Sequence, residues 1–327
     1  MHIFDAAATR DGLPFERLIP ALREMFSQGC QVPARHVHQL GDGPETRGPA
    51  TQGPTTPLAA PVTSLIMPAW LPGRCYGVKT VNVAPGNAAR GLPGLHSTYV
   101  LYDANTGVPL AWLDGDQITA RRTAAASALA ASWLASPDAS HLLLVGAGQV
   151  ARLLPLAYRE VRQIRRVSVW ARALPAAEVL AAELQAQGFD ARPVVDLAAA
   201  AAQSDIISCA TLATLPLVMG RWLQPGTHLD LIGSFTPWMR EADDDCFKGA
   251  RLFVDTEEAL IKSGDLLGPM SRGVFVAADA AGTLSTLCRG QSEGRHLADE
   301  RTVFKSVGTA LEDLAAAMLV CGLPVMS

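Results

Sequence analysis

The sequence is short of charge, of aromatic rings and of paired cysteines. Of its 327 residues 18% are Asp, Glu, Lys or Arg and 6% are aromatic, whereas 49% are hydrophobic. So much apolar content excludes a disordered chain, and the length suffices for two domains of roughly 100–200 residues each. Basic runs are missing and the formal net charge is −4, which argues against a nucleic-acid or membrane-surface partner. The six cysteines (Cys30, Cys75, Cys209, Cys246, Cys288 and Cys321) form no C-x-x-C pair, a pattern of buried free thiols in a reducing compartment. No apolar run approaches the roughly 20 residues that a membrane span needs. The first residues lack the basic-then-apolar order of a signal peptide. The expectation is a soluble, cytoplasmic protein. His36 and His38 alternate with no third ligand nearby, so no metal site is expected.

What is present divides into two textures. Residues 12–29 place Leu13, Leu18, Leu22 and Met25 at helical spacing. A stretch dense in Gly, Pro and Thr follows at 41–61 and reads as a surface loop. The short runs 62–68, 75–83, 97–103 and 108–113, separated by turn signals, predict a mostly antiparallel sheet. From the Ala-rich helical stretch 117–135 onward, apolar strands alternate with helices: strands at 141–146, 166–170, 192–195, 205–209, 228–232 and 251–254. That alternation predicts an α/β fold with a doubly wound parallel sheet. A final helix is expected over about 302–321, packing back on the first region.

"LLLVGAGQVA" has the form strand, G-x-G-x-x-A, helix. Gly146 permits the tight turn, Gly148 leaves room for a pyrophosphate, and Ala151 lets helix and strand approach. The helix start then offers free N–H groups to phosphate. An acid after the next strand would select NAD, but "VSVWARALP" offers Ala171 and Arg172 instead. A guanidinium there suits a 2′-phosphate, so NADPH is favoured, with NADH left open.

Three cations sit where cations are uncommon. Lys79 interrupts an apolar strand, sharing a face with Gly77 and Val81. Arg122 stands near the start of an apolar helix, a position that hints at a bound anion. Arg35, in "VPARHVH", is a third candidate. Glu257, Glu258 and Asp265 read as surface carboxylates of a helical face, and Cys209 as core.

The segments "GVKTVNVAPGN", "LDGDQITARRTAAASALAA", "LLVGAGQVA", "HLDLIGSFTPWMREAD" and "TVFKSVGTALEDL" resemble the ornithine cyclodeaminase/μ-crystallin family. The resemblance implies a Rossmann dinucleotide-binding domain, 117–299, inserted in an α+β substrate-binding and dimerisation domain, 1–116 with 300–327. It further implies a homodimer acting on a small cyclic imino acid. By position, Arg35, Lys79 and Arg122 match the family's contacts to the substrate carboxylate, and His96 falls in the segment passing the nicotinamide. Thr123, Gly146, Ala147, Gly148, Gln149, Val150, Ala171, Arg172, Thr211, Leu212, Ser234 and Val307 match cofactor contacts.

Members include cyclodeaminases, alanine dehydrogenases, ketimine reductases and a thyroid-hormone-binding crystallin, so the resemblance leaves open an ornithine cyclodeaminase, an amino-acid dehydrogenase or a non-catalytic NADPH-dependent small-ligand-binding protein. Cyclodeaminases carry two carboxylates where this chain has Phe235 and Leu65. Losing both removes the acid–base groups that cyclisation requires. Phe235, with Trp70 or Trp238, is expected to form an apolar wall. The wording "GSFTP…MRE" resembles the Δ1-pyrroline-2-carboxylate reductase branch, which implies an NAD(P)H-dependent oxidoreductase acting on C=N bonds in proline metabolism.

Overall fold

The computed structural model describes residues 1–40 and 62–325, so the Gly/Pro/Thr-rich stretch at 41–61 lies outside the described residues. The strands of the first region are β1 (His2–Phe4), β2 (His36–Leu40), β3 (Val62–Leu71), β4 (Cys75–Val83), β5 (Leu95–Asp103) and β6 (Pro109–Asp114). Those of the second are β7 (His141–Val145), β8 (Arg166–Trp170), β9 (Asp190–Pro193), β10 (Ile206–Cys209), β11 (His228–Leu231), β12 (Arg251–Val254), β13 (Gly282–Thr283) and β14 (Thr302–Lys305). The helices are α1 (Ala6–Asp11), α2 (Phe15–Gln28), α3 (Gly115–Leu134), α4 (Gln149–Arg159) and α5 (Leu174–Ala186). They continue with α6 (Leu197–Ala201), α7 (Glu258–Lys262), α8 (Gly264–Ser271), α9 (Leu284–Cys288) and α10 (Ala310–Val320).

The first sheet runs β1-β6-β5-β4-β3-β2, antiparallel except for the β1–β6 pair. Its strands alternate, so Met67, Ala69, Val81, Tyr99, Leu101 and Leu113 face inward. They meet α2, α3 and α10, whose apolar sides complete the core. α3 starts where Asp114 accepts a hydrogen bond from the Gln117 amide at 2.8 Å. Its run of buried alanines keeps helix propensity high and lets neighbouring helices approach.

The second sheet is parallel and runs β9-β8-β7-β10-β11-β14-β12-β13. The chain starts at β7, winds out to β9, then crosses to β10 on the other side. The order therefore reverses between β7 and β10, the place where open α/β sheets bind ligands. The expected doubly wound sheet is present.

One sequence expectation fails in part. Residues 302–305 are not the start of a helix but strand β14, fully buried between β11 and β12. Four residues of which only Val303 and Phe304 are apolar carry too little periodicity to separate strand from helix. Since β14 belongs to the parallel sheet, the return to the first region begins after Lys305 rather than at residue 300. α10 makes that return, packing on α2, α3, β3 and β4.

Candidate active site

The glycine turn after β7 builds one wall of a cleft at the switch point. Gly146 has φ +121°, and a Cβ there would lie 2.6 Å from the Ala210 carbonyl oxygen. Only glycine fits. Gly148 caps α4 with ordinary backbone angles, and the space its side chain would occupy is open. No side chain caps the first N–H groups of α4, which leaves them for an anion. The turn therefore fits a dinucleotide phosphate, with Gly146 and Ala147 forming the bend and Gly148, Gln149 and Val150 the lining.

The cleft, about 320 Å³, runs from this turn past Thr211, Leu212 and Gly233. Its far end is made by Arg122, Thr123, Val307 and Gly308, and Phe235 lines it too. The three cations gather around this far end. Lys79, only 1% exposed on the inward face of β4, donates to Asp313 Oδ1 at 2.7 Å and Thr119 Oγ1 at 3.1 Å. Arg122 donates through Nη1 to Glu312 at 2.6 Å and through Nε to the same Asp313 oxygen at 3.1 Å. Arg35 reaches the Gly308 carbonyl at 3.0 Å and pairs with Glu258 at 2.7 Å.

Gly308 ties the group together. Its φ is +75°, and a Cβ there would lie 2.4 Å from Arg122 Nη1. Asp255 holds the loop by accepting from the Val307 and Gly308 amides at 2.8 and 2.7 Å. Burial lowers the Lys79 pKa to about 8, against the pull of Asp313. Burial raises Glu312 to about 7, against Arg122.

Other candidates lie elsewhere. His96 is exposed on β5, and alternation puts it on the face opposite Tyr99 and Lys79, away from the cleft. Ser234 is fully buried, its hydroxyl bonded to the Met239 carbonyl at 2.5 Å and to Ser263 at 3.0 Å. Ala171 and Arg172 follow β8 outside the cleft lining, and Arg172 is exposed. Thr123 lines the cleft, its hydroxyl donating to the Thr119 carbonyl at 2.7 Å. Of the expected apolar wall only Phe235 is in place: Trp70 stands on the outward face of β3, and Trp238 is 70% exposed.

Of the carboxylates expected at the surface, one is buried and another is only half-exposed. Asp265 is fully buried and accepts from the Glu241 and Ala242 amides, while Glu258 is the partner of Arg35. Sequence reasoning missed Glu312 and Asp313 altogether. The available signal was an acidic pair inside the apolar run "TALEDLAAAM", which reads more simply as acids favouring a helix start. Among the described residues, no cluster of His, Cys, Asp or Glu is placed to hold a metal ion.

The family model described as ornithine cyclodeaminase/mu-crystallin matches residues 59–322. This chain belongs to the ornithine cyclodeaminase/mu-crystallin family. Within the family, it is 44% identical to the Δ1-pyrroline-2-carboxylate reductase of Paracoccus denitrificans over 91% of this chain and 90% of that one. Among solved structures it superposes with a TM-score of 0.87 on Thermococcus litoralis Δ1-pyrroline-2-carboxylate reductase in complex with NADH and L-proline. That match has 30% identity and covers 98% of this chain and 96% of that one. An archaeal alanine dehydrogenase dimer with bound NAD follows, with a TM-score of 0.86 and 27% identity, covering 98% of this chain and 94% of that one.

Proposed function

We propose that the protein reduces cyclic ketimines with NAD(P)H, converting Δ1-pyrroline-2-carboxylate to L-proline and the six-membered Δ1-piperideine-2-carboxylate to L-pipecolate. The observation that carries this reading is Arg122. It lines the same cleft as the phosphate-binding turn and shares Asp313 with Lys79, so a carboxylate held there lies beside a bound dinucleotide. The reductases to which the chain is similar support the substrate class.

In this reading Arg35, Lys79 and Arg122 hold the substrate carboxylate by charge-assisted hydrogen bonds. A reduced nicotinamide held in the cleft supplies the hydride, which goes to the imine carbon while one proton reaches the nitrogen. Phe235, in place of a cyclodeaminase acid, keeps that end of the cleft apolar and offers no base to drive ornithine cyclisation. Positioning of the two reactants carries most of the rate enhancement.

NADPH is our preferred cofactor, with NADH admitted. Arg172 follows β8, where the adenine ribose lies in such folds, and it is exposed and available to a 2′-phosphate. A homodimer is supported by the outward face of the first sheet, where Trp70, Tyr76, Val78, Val100, Tyr102 and Trp112 are half-buried neighbours. Cytoplasmic placement is supported by the six free thiols. No helix among the described residues is long and apolar enough to cross a membrane.

The direct test follows absorbance at 340 nm with purified protein, NADPH and Δ1-pyrroline-2-carboxylate. Consumption that depends on the imine, with L-proline as product, is expected. A flat trace with millimolar imine and either dinucleotide overturns the proposal.

A further inference from the structure

A second group of buried charges lies behind the other wall of the cleft. Glu241 is fully buried, and three donors converge on its carboxylate: the Thr211 amide at 2.7 Å, the Thr211 hydroxyl at 2.8 Å and the Gly233 amide at 2.6 Å. Thr211 and Gly233 follow β10 and β11, and both line the cleft. The packing is close, since a Cβ on Gly233 would lie 1.9 Å from the Thr211 carbonyl and 2.4 Å from Glu241 Oε1. The Thr211 hydroxyl already accepts from the Ala213 amide at 3.2 Å, so it donates to Glu241. Three donors at these distances are the arrangement an ionised carboxylate takes.

Two further buried charged groups, Asp265 and Lys305, act on Glu241. Asp265, at the start of α8, is also fully buried and accepts from the Glu241 and Ala242 amides. The cation among them is Lys305 at the end of β14, fully buried, with no hydrogen-bond partner and its ammonium 3.7 Å from Asp265 Oδ2. The phosphate turn sits after β7, and the adenine half of a dinucleotide extends toward β8. A dinucleotide held at that turn would lay its nicotinamide half the other way, along the cleft wall that Thr211 and Gly233 line, in front of Glu241.

We propose that Glu241 is a positioning residue whose charge, set behind the Thr211 and Gly233 backbone, favours the oxidised nicotinamide over the reduced one. The oxidised ring carries a positive charge that the reduced ring lacks, and this charge develops as hydride leaves. A fixed negative group behind a low-dielectric wall stabilises that change without reorganising. The inference rests on the cofactor reading above and adds a residue to it.

The test is a pair of fluorescence titrations, of reduced and of oxidised dinucleotide, on the wild type and on Glu241→Gln. Burial pushes Glu241 up, against the pull of Lys305, so the titrations are run at pH 9 to favour its ionised form. In E241Q the Kd of the oxidised form is expected to rise at least tenfold relative to that of the reduced form. Lys305→Met removes the opposing cation and is expected to move the ratio the opposite way, which keeps the idea testable if E241Q does not fold. Both forms weakening equally in E241Q, or a ratio unmoved in both variants, overturns the inference and leaves the reductase reading standing. A wild type that binds neither dinucleotide overturns both.

Discussion

Lys79 and Arg122 donate to one and the same oxygen of Asp313, so neither cation can change without disturbing the other. Burial brings the Lys79 pKa from 10.5 down to about 8. Below that value Lys79 is charged and can hold a carboxylate; above it the ammonium loses its proton and the attraction goes. The kcat/KM for a cyclic imino acid is therefore expected to fall about tenfold per pH unit above pH 8, in a profile measured from pH 6 to 10 at saturating dinucleotide. A profile flat to pH 10 removes Lys79 from substrate binding. Arg122→Ala takes away a cation, leaves Glu312 buried without its partner and leaves Asp313 with Lys79 alone. Breaking one side of such a buried group costs about 3–5 kcal/mol. The variant is expected to melt markedly lower and to lose at least a hundredfold in kcat/KM, mainly through KM. Unchanged kinetics would remove its assigned role. Lys79 and Arg122 were legible because a charge inside an apolar strand or helix violates the pattern around it, whereas Arg35 lies in no such run and was picked out by the resemblance. Their acidic partners were not: Glu312 and Asp313 sit at a helix start, where acids need no special reason.

At the scale of the element, the strand–turn–helix unit from β7 to α4 holds two glycines with different reasons to be glycine. Gly146 is required by the fold, because its positive φ and the Ala210 carbonyl at 2.6 Å leave no place for a Cβ. Gly148 has φ −82° and open space beside it, so the folded chain alone does not need glycine there. Its requirement is expected to come from the ligand. Gly146→Ala should lower the melting temperature in the absence of any ligand, by a cost of about 1–3 kcal/mol. Gly148→Val should melt like the wild type yet raise the Kd for NADPH or NADH at least tenfold, since its side chain occupies the phosphate site. Thermal melts with and without dinucleotide separate the two cases. A Gly148→Val variant that binds dinucleotide normally would place the phosphates elsewhere.

For the molecule as a whole, the legible part was whatever repeats over many residues. The βαβ train gave the parallel sheet, and the alternation of β4 put Lys79 inside. What escaped was set by contacts between distant segments. β14 is not legible as a strand, because its four residues become one only by fitting between β11 and β12. His96 is placed near the site by the resemblance and Trp70 as part of an apolar wall, and neither reading tells which face of its strand turns inward. That outward face carries the last prediction. Tyr76 and Tyr102 stack at 5.5 Å, Trp70 meets Tyr76 edge-on at 6.4 Å, and Val78 pairs with Val100 beside them. A contiguous apolar patch on a sheet face is costly to leave in water and marks an interaction surface. If a second copy covers it, sedimentation at micromolar protein should give twice the 34.5 kDa of one chain. Val78→Glu puts a carboxylate at the centre of the patch, where a self-complementary contact would bring two of them together. The variant should sediment as a single chain with its far-UV circular dichroism intact, because Val78 points away from the helices that form the core. A wild type that sediments as one chain at the same concentration would leave the patch without a partner copy.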